Sequence, residues 1–245
     1  YKYKQPQVKI PPYVKQLGVF SIDKMNSKIV DSFVGAIPPK FKYISLPLND
    51  MNKTETKQFR HSLVKNFQLD LVQPYDTLVN TYNDITKSKL IEAHKNELTV
   101  KRNISTEVFI SFYKNAKIKT GSKLTKANEV VLTPLINTLT RFNLAEIHGV
   151  YDKNERLCGV AFFLIYLNRL SIMKIATDDY GSSLAAEYFI INEFIKSNSN
   201  KNVTLDFPQN VRDKWLEFNT GFGATQTLTT ILSRNNLPLL YKLIE

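Results

Sequence analysis

The stretch AEIHGVYDKNERLCGVAFFLIYLNRLSIMKIAT, residues 145–177, decides the fold. It contains three runs rich in β-branched and aromatic residues, 145–151, 156–167 and 169–177. Turn chemistry at Asp152-Lys153-Asn154 and at Leu167-Asn168-Arg169 separates them. The reading is a meander of three antiparallel strands joined by long hairpins. Downstream, Leu184, Tyr188, Ile191 and Ile195 fall on one helical face and predict a helix over 183–196. A strand at 203–207, a short helix around 211–219 with Trp215 and Phe218, and an alternating strand over 224–233 follow.

Upstream, Met25, Ile29, Val30, Phe33, Val34 and Ile37 recur at helical spacing and stop at Pro38-Pro39, which predicts a helix over 24–37. Strands follow at 41–48 and within 59–71, the second clearest at Asn66–Leu71, where apolar and polar residues alternate. Pro74 suits the first turn of a helix running toward Asn96, with a change of register near Lys87 that implies a break. Leu98, Val100 and Arg102 suggest a short strand. Ser105 caps a helix over 106–116, residues 117–123 have loop chemistry, and 125–142 read as a helix that Pro134 kinks or divides.

The order helix 24–37, strand 41–48, strand 65–71 returns as helix 183–196, strand 202–207, strand 224–233. This is a repeat of architecture rather than of letters. It divides the chain into 1–105, a partial copy with a helical extension, and 106–245, a full copy. The first copy lacks the opening strands that 145–177 supply to the second, which fits a sequence starting at Tyr1 rather than Met.

With 245 residues, 43% of them hydrophobic and 11% aromatic, the chain can bury a sizeable core, and disorder is excluded on composition. Cys158 is the single cysteine, so no internal disulfide forms, and a reduced cytoplasm is the default location. Apolar runs such as Val160–Leu167 are about eight residues long, against roughly 20 for a membrane span, and no N-terminal signal is visible. The net charge of +11 is uneven, +8 over 1–105 and +3 over 106–245. That asymmetry points to a polyanion such as tRNA meeting Lys87, Lys89, Lys95, Lys101 and Arg102, the other reading being a solvated basic surface on which Glu92 pairs with Lys95.

Three antiparallel strands, a helix, a strand, a helix and a final strand is the order of the GNAT acyltransferase superfamily. The segment Trp215-Leu216-Glu217-Phe218-Asn219-Thr220-Gly221-Phe222-Gly223-Ala224 resembles its late helix-to-strand motif. Phe67–Leu71, the Pro-led helix after it and the Lys-bearing stretch Tyr82–Lys101 resemble the middle of the Fem-type peptidyltransferases. Glu146–Asp152 and Leu205-Asp206-Phe207 resemble segments of Fem-like acetyltransferases of unassigned substrate. Fem-type proteins are double GNAT domains that attach amino acids from aminoacyl-tRNA to peptidoglycan precursors. The resemblance implies an α/β fold of mixed sheets, a tandem GNAT-like fold whose first copy is incomplete at its N-terminus. It implies acyl or aminoacyl transfer to an amine held between the halves, with acetyl-CoA or another acyl-CoA as donor, or aminoacyl-tRNA instead. The acceptor class it implies is a small molecule or a peptidoglycan-type amine.

In that superfamily, backbone N–H groups of a Gly-rich turn hold the coenzyme A pyrophosphate at a helix N-terminus. The matching turn gives Ala176, Thr177, Tyr180, Gly181, Ser182 and Ser183 as cofactor-binding candidates. Asp178 and Asp179 bring negative charge where a basic or amide residue is usual, and the plain alternative is that Ser182 or Ser183 caps the helix. Asn219 stands where the superfamily often has an acidic tyrosine, and it cannot donate a proton as an acid. Glu146 and Asp206, on central strands where the two parallel strands of a GNAT domain splay apart, are the catalytic candidates, since a half-buried carboxylate can deprotonate an amine. Against this stand a solvated strand-edge role for Glu146 and a loop-anchoring role for Asp206. His148, on the same face as Glu146, joins Asn210 and Asn219 as a substrate-binding candidate, with packed core as its other reading. His61, His94 and Cys158 lack metal-type or thiol-type company, so no metal is expected. A non-catalytic protein binding a peptide, glycan or nucleic acid in the inter-domain cleft is the competing function.

Overall fold

A computed structural model describes residues 6–116, 124–208 and 213–238. The loop at 117–123 and Asn210 lie outside the described residues. In chain order the elements are β1 (Gln7–Val8), α1 (Ser27–Gly35), β2 (Tyr43–Pro47), β3 (Arg60–Asp70), α2 (Tyr75–Asn80), α3 (Asp84–Lys95), β4 (Thr99–Arg102) and α4 (Thr106–Asn115). Then come α5 (Lys126–Arg141), β5 (Ala145–Tyr151), β6 (Leu157–Tyr166), β7 (Arg169–Thr177), α6 (Asp179–Ser183), α7 (Ala186–Asn198), β8 (Thr204–Asp206), α8 (Asp213–Gly221) and β9 (Thr225–Asn235). The meander at 145–177 is present as read. The chain folds into two compact units, one from the segment ending at Lys65 together with the segment from Leu228, the other Asn66–Thr227. The sequence boundary at 105/106 falls between β4 and α4, inside the second.

In the first unit β2 pairs parallel with β1 and antiparallel with β9, Tyr43 opposite Asn235. Val30 and Val34 of α1 pack on Ile44, Leu48, Phe59 and Leu232. In the second unit the strand order is β3-β8-β7-β6-β5-β4. There β8 pairs parallel with β7 and antiparallel with β3, Gln68 opposite Asp206. Each unit therefore builds the same motif, a parallel pair flanked by an antiparallel strand. That flanking strand comes from the other repeat: β3 from the first, β9 from the second.

Neighbouring residues on β6 show which helices cover which face of the second unit's sheet, because side chains alternate along a strand. Phe162 packs edge-on against Phe109 of α4, whereas Phe163 stacks on Phe194 of α7 at 3.7 Å between centroids. The α4 and α7 faces are thus opposite. The α7 face holds the larger core, including Leu69, Leu71, Ile172, Ile191, Leu205 and Phe222.

Several boundaries differ from the sequence reading, each for a local reason. The break in the 74–96 helix lies at Thr81–Asn83 rather than near Lys87, because the Asn83 side chain accepts from the Thr86 N–H and starts α3 afresh. The helix expected over 183–196 is two: α6 begins at Asp179 under an Asp178 cap, and Ala185, at φ 59°, separates it from α7. Pro134 sits inside a continuous α5. Ser105 caps α4 as read, accepting from the Val108 N–H.

Candidate active site

The β7 to α6 connection gathers the cofactor-binding candidates into one turn and engages their polar groups internally. Asp178 Oδ1 accepts from the Gly181 N–H at 2.6 Å, and its Oδ2 accepts from Arg156 Nη2 at 2.9 Å. A carboxylate of the chain itself therefore occupies the position where an anion would meet the first turn. Gly181 is required for packing, since a Cβ there would lie 1.9 Å from the Cys158 carbonyl oxygen. The expectation that Ser182 or Ser183 caps the helix is corrected, because Asp178 does so. Ser182 Oγ instead bonds Thr177 Oγ1 at 2.8 Å, and Ser183 Oγ donates to the Tyr180 carbonyl at 2.8 Å. Ala176 is buried in β7.

Tyr180 donates its hydroxyl to Asp152 Oδ2 at 2.9 Å, and the Arg156 guanidinium lies 4.2 Å from its ring centroid. The bond to Asp152 raises the Tyr180 pKa above the ordinary tyrosine value. Asp152 is itself held below the usual carboxylate range, chiefly by the Arg156 backbone N–H. Beside this turn, on the α4 face, lies a cavity of about 630 Å³ lined by Glu107, Val108, Ser111, Phe112, Leu157 and Asp178 among others. Its charged lining residues, among those described, are the carboxylates Glu107 and Asp178. Glu107 is kept below the ordinary glutamate value by its own backbone N–H and by the Ser105 hydroxyl.

β7 and β8 pair only from Arg169/Thr204 to Ser171/Asp206 and then part. Phe207 continues along β3 instead, donating its N–H to the Phe67 carbonyl at 2.9 Å. Asp206 closes the narrow end of this gap, accepting from Arg169 Nη2 at 2.8 Å and Nε at 3.1 Å and from Ser171 Oγ at 3.3 Å. Its partners are side chains rather than the backbone N–H groups of a loop. Just past the parting, the register between β6 and β7 shifts, with Phe162 opposite Lys174 and Phe163 opposite Ile172, so Met173 forms a bulge. Lys174 projects to the α4 face with Phe162, and burial lowers its pKa from the ordinary lysine value. Sequence reading passed over Lys174. Its signal was a lone cation in the apolar run Ile172-Met173-Lys174-Ile175.

Glu146 and His148 come together, with Nε2 of His148 2.7 Å from Glu146 Oε2. They are not at the gap. Glu146 is level with Phe163 and Ile172, three strands from β8, and on the α7 face, whereas Asp206 shares the α4 face with Ser171. The two carboxylates point to opposite sides of the sheet and cannot reach one substrate atom together. The pairing of β4 with β5 stops at Arg102 opposite His148, so Glu146 lies just past the end of β4, half-buried at a stretch of β5 that β4 does not cover. His148 is 1% exposed, edge-on to Phe163 and Phe194, and its Nδ1 has no hydrogen-bond partner. An unsatisfied buried atom costs about 1–3 kcal/mol. Asn219 is buried, donating Nδ2 to the Pro208 carbonyl at 3.2 Å, so it tethers the segment after β8.

The hydrogen bond from His148, aided by Arg102 and Lys201, lowers the Glu146 pKa from the ordinary glutamate value. A carboxylate whose folded pKa is depressed contributes stability fully present above its unfolded value, here 4.5, and loses it as pH falls through the lower folded value. Glu146→Gln should therefore be less stable than the unchanged protein at neutral pH. That difference should shrink as the pH drops below 4.5 in urea titrations run at stepped pH. A constant difference across that range would mean that the Glu146 charge contributes nothing.

Of the five basic residues considered for a polyanion, Lys89 pairs with Glu92 at 2.6 Å, Lys101 pairs with Glu155, and Lys87 donates to the Asn80 carbonyl at 3.4 Å. Glu92 thus pairs with Lys89 rather than with Lys95. Among the described residues no group of three or more His, Cys, Asp or Glu is placed to hold a metal ion, and no helix is long and apolar enough to cross a membrane.

No protein-family model and no curated protein matches the sequence. Solved structures do. The crystal structure of FemX matches with a TM-score of 0.67 over 92% of this chain and 81% of that one, at 14% identity. A functionally unknown conserved protein from Staphylococcus epidermidis ATCC 12228 gives 0.51 over 80% and 73%, at 8% identity. L-PGS from Bacillus licheniformis gives 0.50 over 88% and 75%, at 11% identity. At these identities the likeness is one of fold. Strand order, the parting of β7 from β8 and the match to FemX agree, and this chain has the tandem GNAT-like fold of the Fem-type proteins.

Proposed function

We propose that the protein transfers an aminoacyl or other acyl group to an amine. The observation that carries this reading is the gap opened where β7 leaves β8 after Ser171 and Asp206, in a fold shared with FemX. The acyl carbon lies at the Met173 bulge, and Lys174, a half-buried cation, faces the charge that develops on the carbonyl oxygen. The acceptor enters through the 630 Å³ cavity, where Glu107 and Asp178 favour a cationic amine. The amine loses a proton to a carboxylate or to water, its nitrogen attacks the carbonyl carbon, and the bond to the donor's oxygen or sulfur breaks as that atom takes up a proton. Asp206 positions the closed end of the gap. Tyr180, Thr177 and Ser182 shape its open end.

The Asp178 carboxylate at the turn weighs against a pyrophosphate there and in favour of a donor that places none, which the Fem resemblance identifies as aminoacyl-tRNA. The acceptor by the same resemblance is a peptidoglycan-type amine. A second reading, a non-catalytic binding protein, draws support from Asn219, whose amide is engaged by Pro208 at the superfamily's usual acid position. Titration with acetyl-CoA and with charged tRNA, followed by transfer assays to small amines and to muramyl peptides, separates the readings. Weak acetyl-CoA binding that tightens in the Asp178→Asn, Asp179→Asn double variant is expected, with transfer from tRNA that Lys174→Met lowers about 100-fold, equivalent to ~2.7 kcal/mol. Binding of an amine without turnover from either donor would establish the second reading.

A further inference from the structure

A second cavity of about 430 Å³ lies where α4 begins, α5 ends and β5 begins. Ala145 on its wall is level with Leu164 of β6 and Ser171 of β7, six residues short of Thr177, so at about 3.3 Å per residue the cavity is roughly 20 Å from the turn beside α6. Side chains alternate along β5, so Ala145 and Ile147 turn toward α4 and α5, while Glu146 between them turns to the α7 face, where His148 holds it. Glu146 therefore gives this cavity backbone alone. Glu107, the acid at the start of α4, lines the other cavity. Among the described residues the Arg141 guanidinium is thus the one charged group facing this cavity, and no carboxylate pairs with it.

The groups around Arg141 are uncommitted. The side-chain amides of Asn103, Asn137 and Asn143 line the cavity and make no hydrogen bond among the described residues. Thr106 is 7% exposed, and its hydroxyl has no hydrogen-bond partner among those residues either. As the first residue of α4 it also has an N–H without an intrahelical acceptor. The strand edge adds backbone groups. β4 ends at Arg102 opposite His148, and past it Ile104 donates its N–H to the Ile147 carbonyl. Ala145, two residues earlier, presents its N–H and C=O to the same edge with no strand beside it.

Local backbone needs explain part of this lining. Positive φ, 55° and 57°, suits asparagine at 103 and 143. It does not explain Asn137 inside α5, nor Thr106, where valine would fill the same space without an unpaired hydroxyl. A ligand that pairs these groups does.

We infer that this cavity binds the C-terminal end of a peptide chain, with its carboxylate on Arg141, its amide groups on the asparagines and the Ala145 edge, and a carbonyl oxygen on Thr106. A single cation suits a monoanion, and an uncovered strand edge suits the alternating N–H and C=O groups of an extended peptide. The inference does not rest on acyl transfer, since the groups assigned to that chemistry line a different cavity.

The test titrates N-acetyl-alanyl-alanine, its C-terminal amide and inorganic phosphate calorimetrically against the full chain. The acid should saturate, and the amide should bind at least about 10-fold more weakly, ~1.4 kcal/mol. Arg141→Ala should erase the preference for acid over amide, whereas Thr106→Val should weaken both forms alike, by about 10-fold. Arg141 is exposed at a helix end, so its variant carries the test if Thr106→Val folds poorly. Equal affinity for acid and amide, phosphate binding as tight as the acid, or no saturable binding at about 10 mM would overturn the inference.

Discussion

Gly181→Ala should lower the unfolding free energy by about 3 kcal/mol, because overpacking against backbone leaves no flexible side chain to yield. The new Cβ would sit 1.9 Å from the Cys158 carbonyl oxygen and 2.7 Å from its carbonyl carbon, so either α6 or β6 must move. For a chain of this size, with about 2–4 °C per kcal/mol, the melting temperature should fall by roughly 6–12 °C. Gly35→Ala is the matched control. At the last residue of α1 a Cβ meets nothing within 4 Å, and the change should be neutral or stabilising by a few tenths of a kcal/mol up to about 1 kcal/mol. Similar melting temperatures for the two variants would show that the turn after β7 tolerates displacement, and the packing argument for Gly181 would fail.

Phe194→Ala should cost about 3–5 kcal/mol, the range for deleting a buried aromatic ring. Phe194 is fully buried, stacks on Phe163 at 2° between planes and forms one wall around His148, 5.6 Å away. Its loss leaves a void on the α7 face and admits water to the imidazole. Denaturant unfolding reads the first effect and the His148 ring resonances in NMR read the second. Phe33→Ala, at a site 62% exposed, should change stability by less than about 0.5 kcal/mol. A cost below 1 kcal/mol for Phe194→Ala would mean that the surroundings collapse onto the gap.

Local grammar made much of the fold readable. Asp152 could be recognised as a turn residue because its side chain can cap its own loop, and its Oδ1 accepts from the Asn154 and Arg156 N–H groups at 2.8 and 2.9 Å. Ser105 announced its helix in the same way. Ala185 announced nothing: an alanine in the left-handed region is held there by its surroundings, and no composition rule anticipates it. β1 was missed because two residues carry no period, and only their parallel pairing with Tyr43 and Ile44 defines them.

The site divides along the same line. The alternation that put Glu146 and His148 on one face is a two-residue relation, and their hydrogen bond follows from it. That Glu146 and Asp206 face opposite sides of the sheet depends on the registers of three strand pairs and a bulge at Met173, none of which the letters encode locally. Asp178 was read as a repulsive charge beside an incoming anion. In the structure it caps α6, which only the reach of its side chain to the Gly181 N–H reveals.

The reciprocal lending of β3 and β9 carries a consequence for biosynthesis. As the chain leaves the ribosome, Tyr43–Pro47 emerges nearly two hundred residues before its antiparallel partner, which ends at Asn235. Until then one edge of that strand presents unpaired N–H and C=O groups to whatever nascent or neighbouring chain is near. Asp206 by contrast meets Gln68 as soon as the middle of the chain is complete, so Asn66–Thr227 can condense while the first unit still waits. Such long-range closure is slow. Messages truncated before the codon for Thr225 should yield a product whose β2 edge stays unpaired, one that chaperones retain and that aggregates when they are scarce.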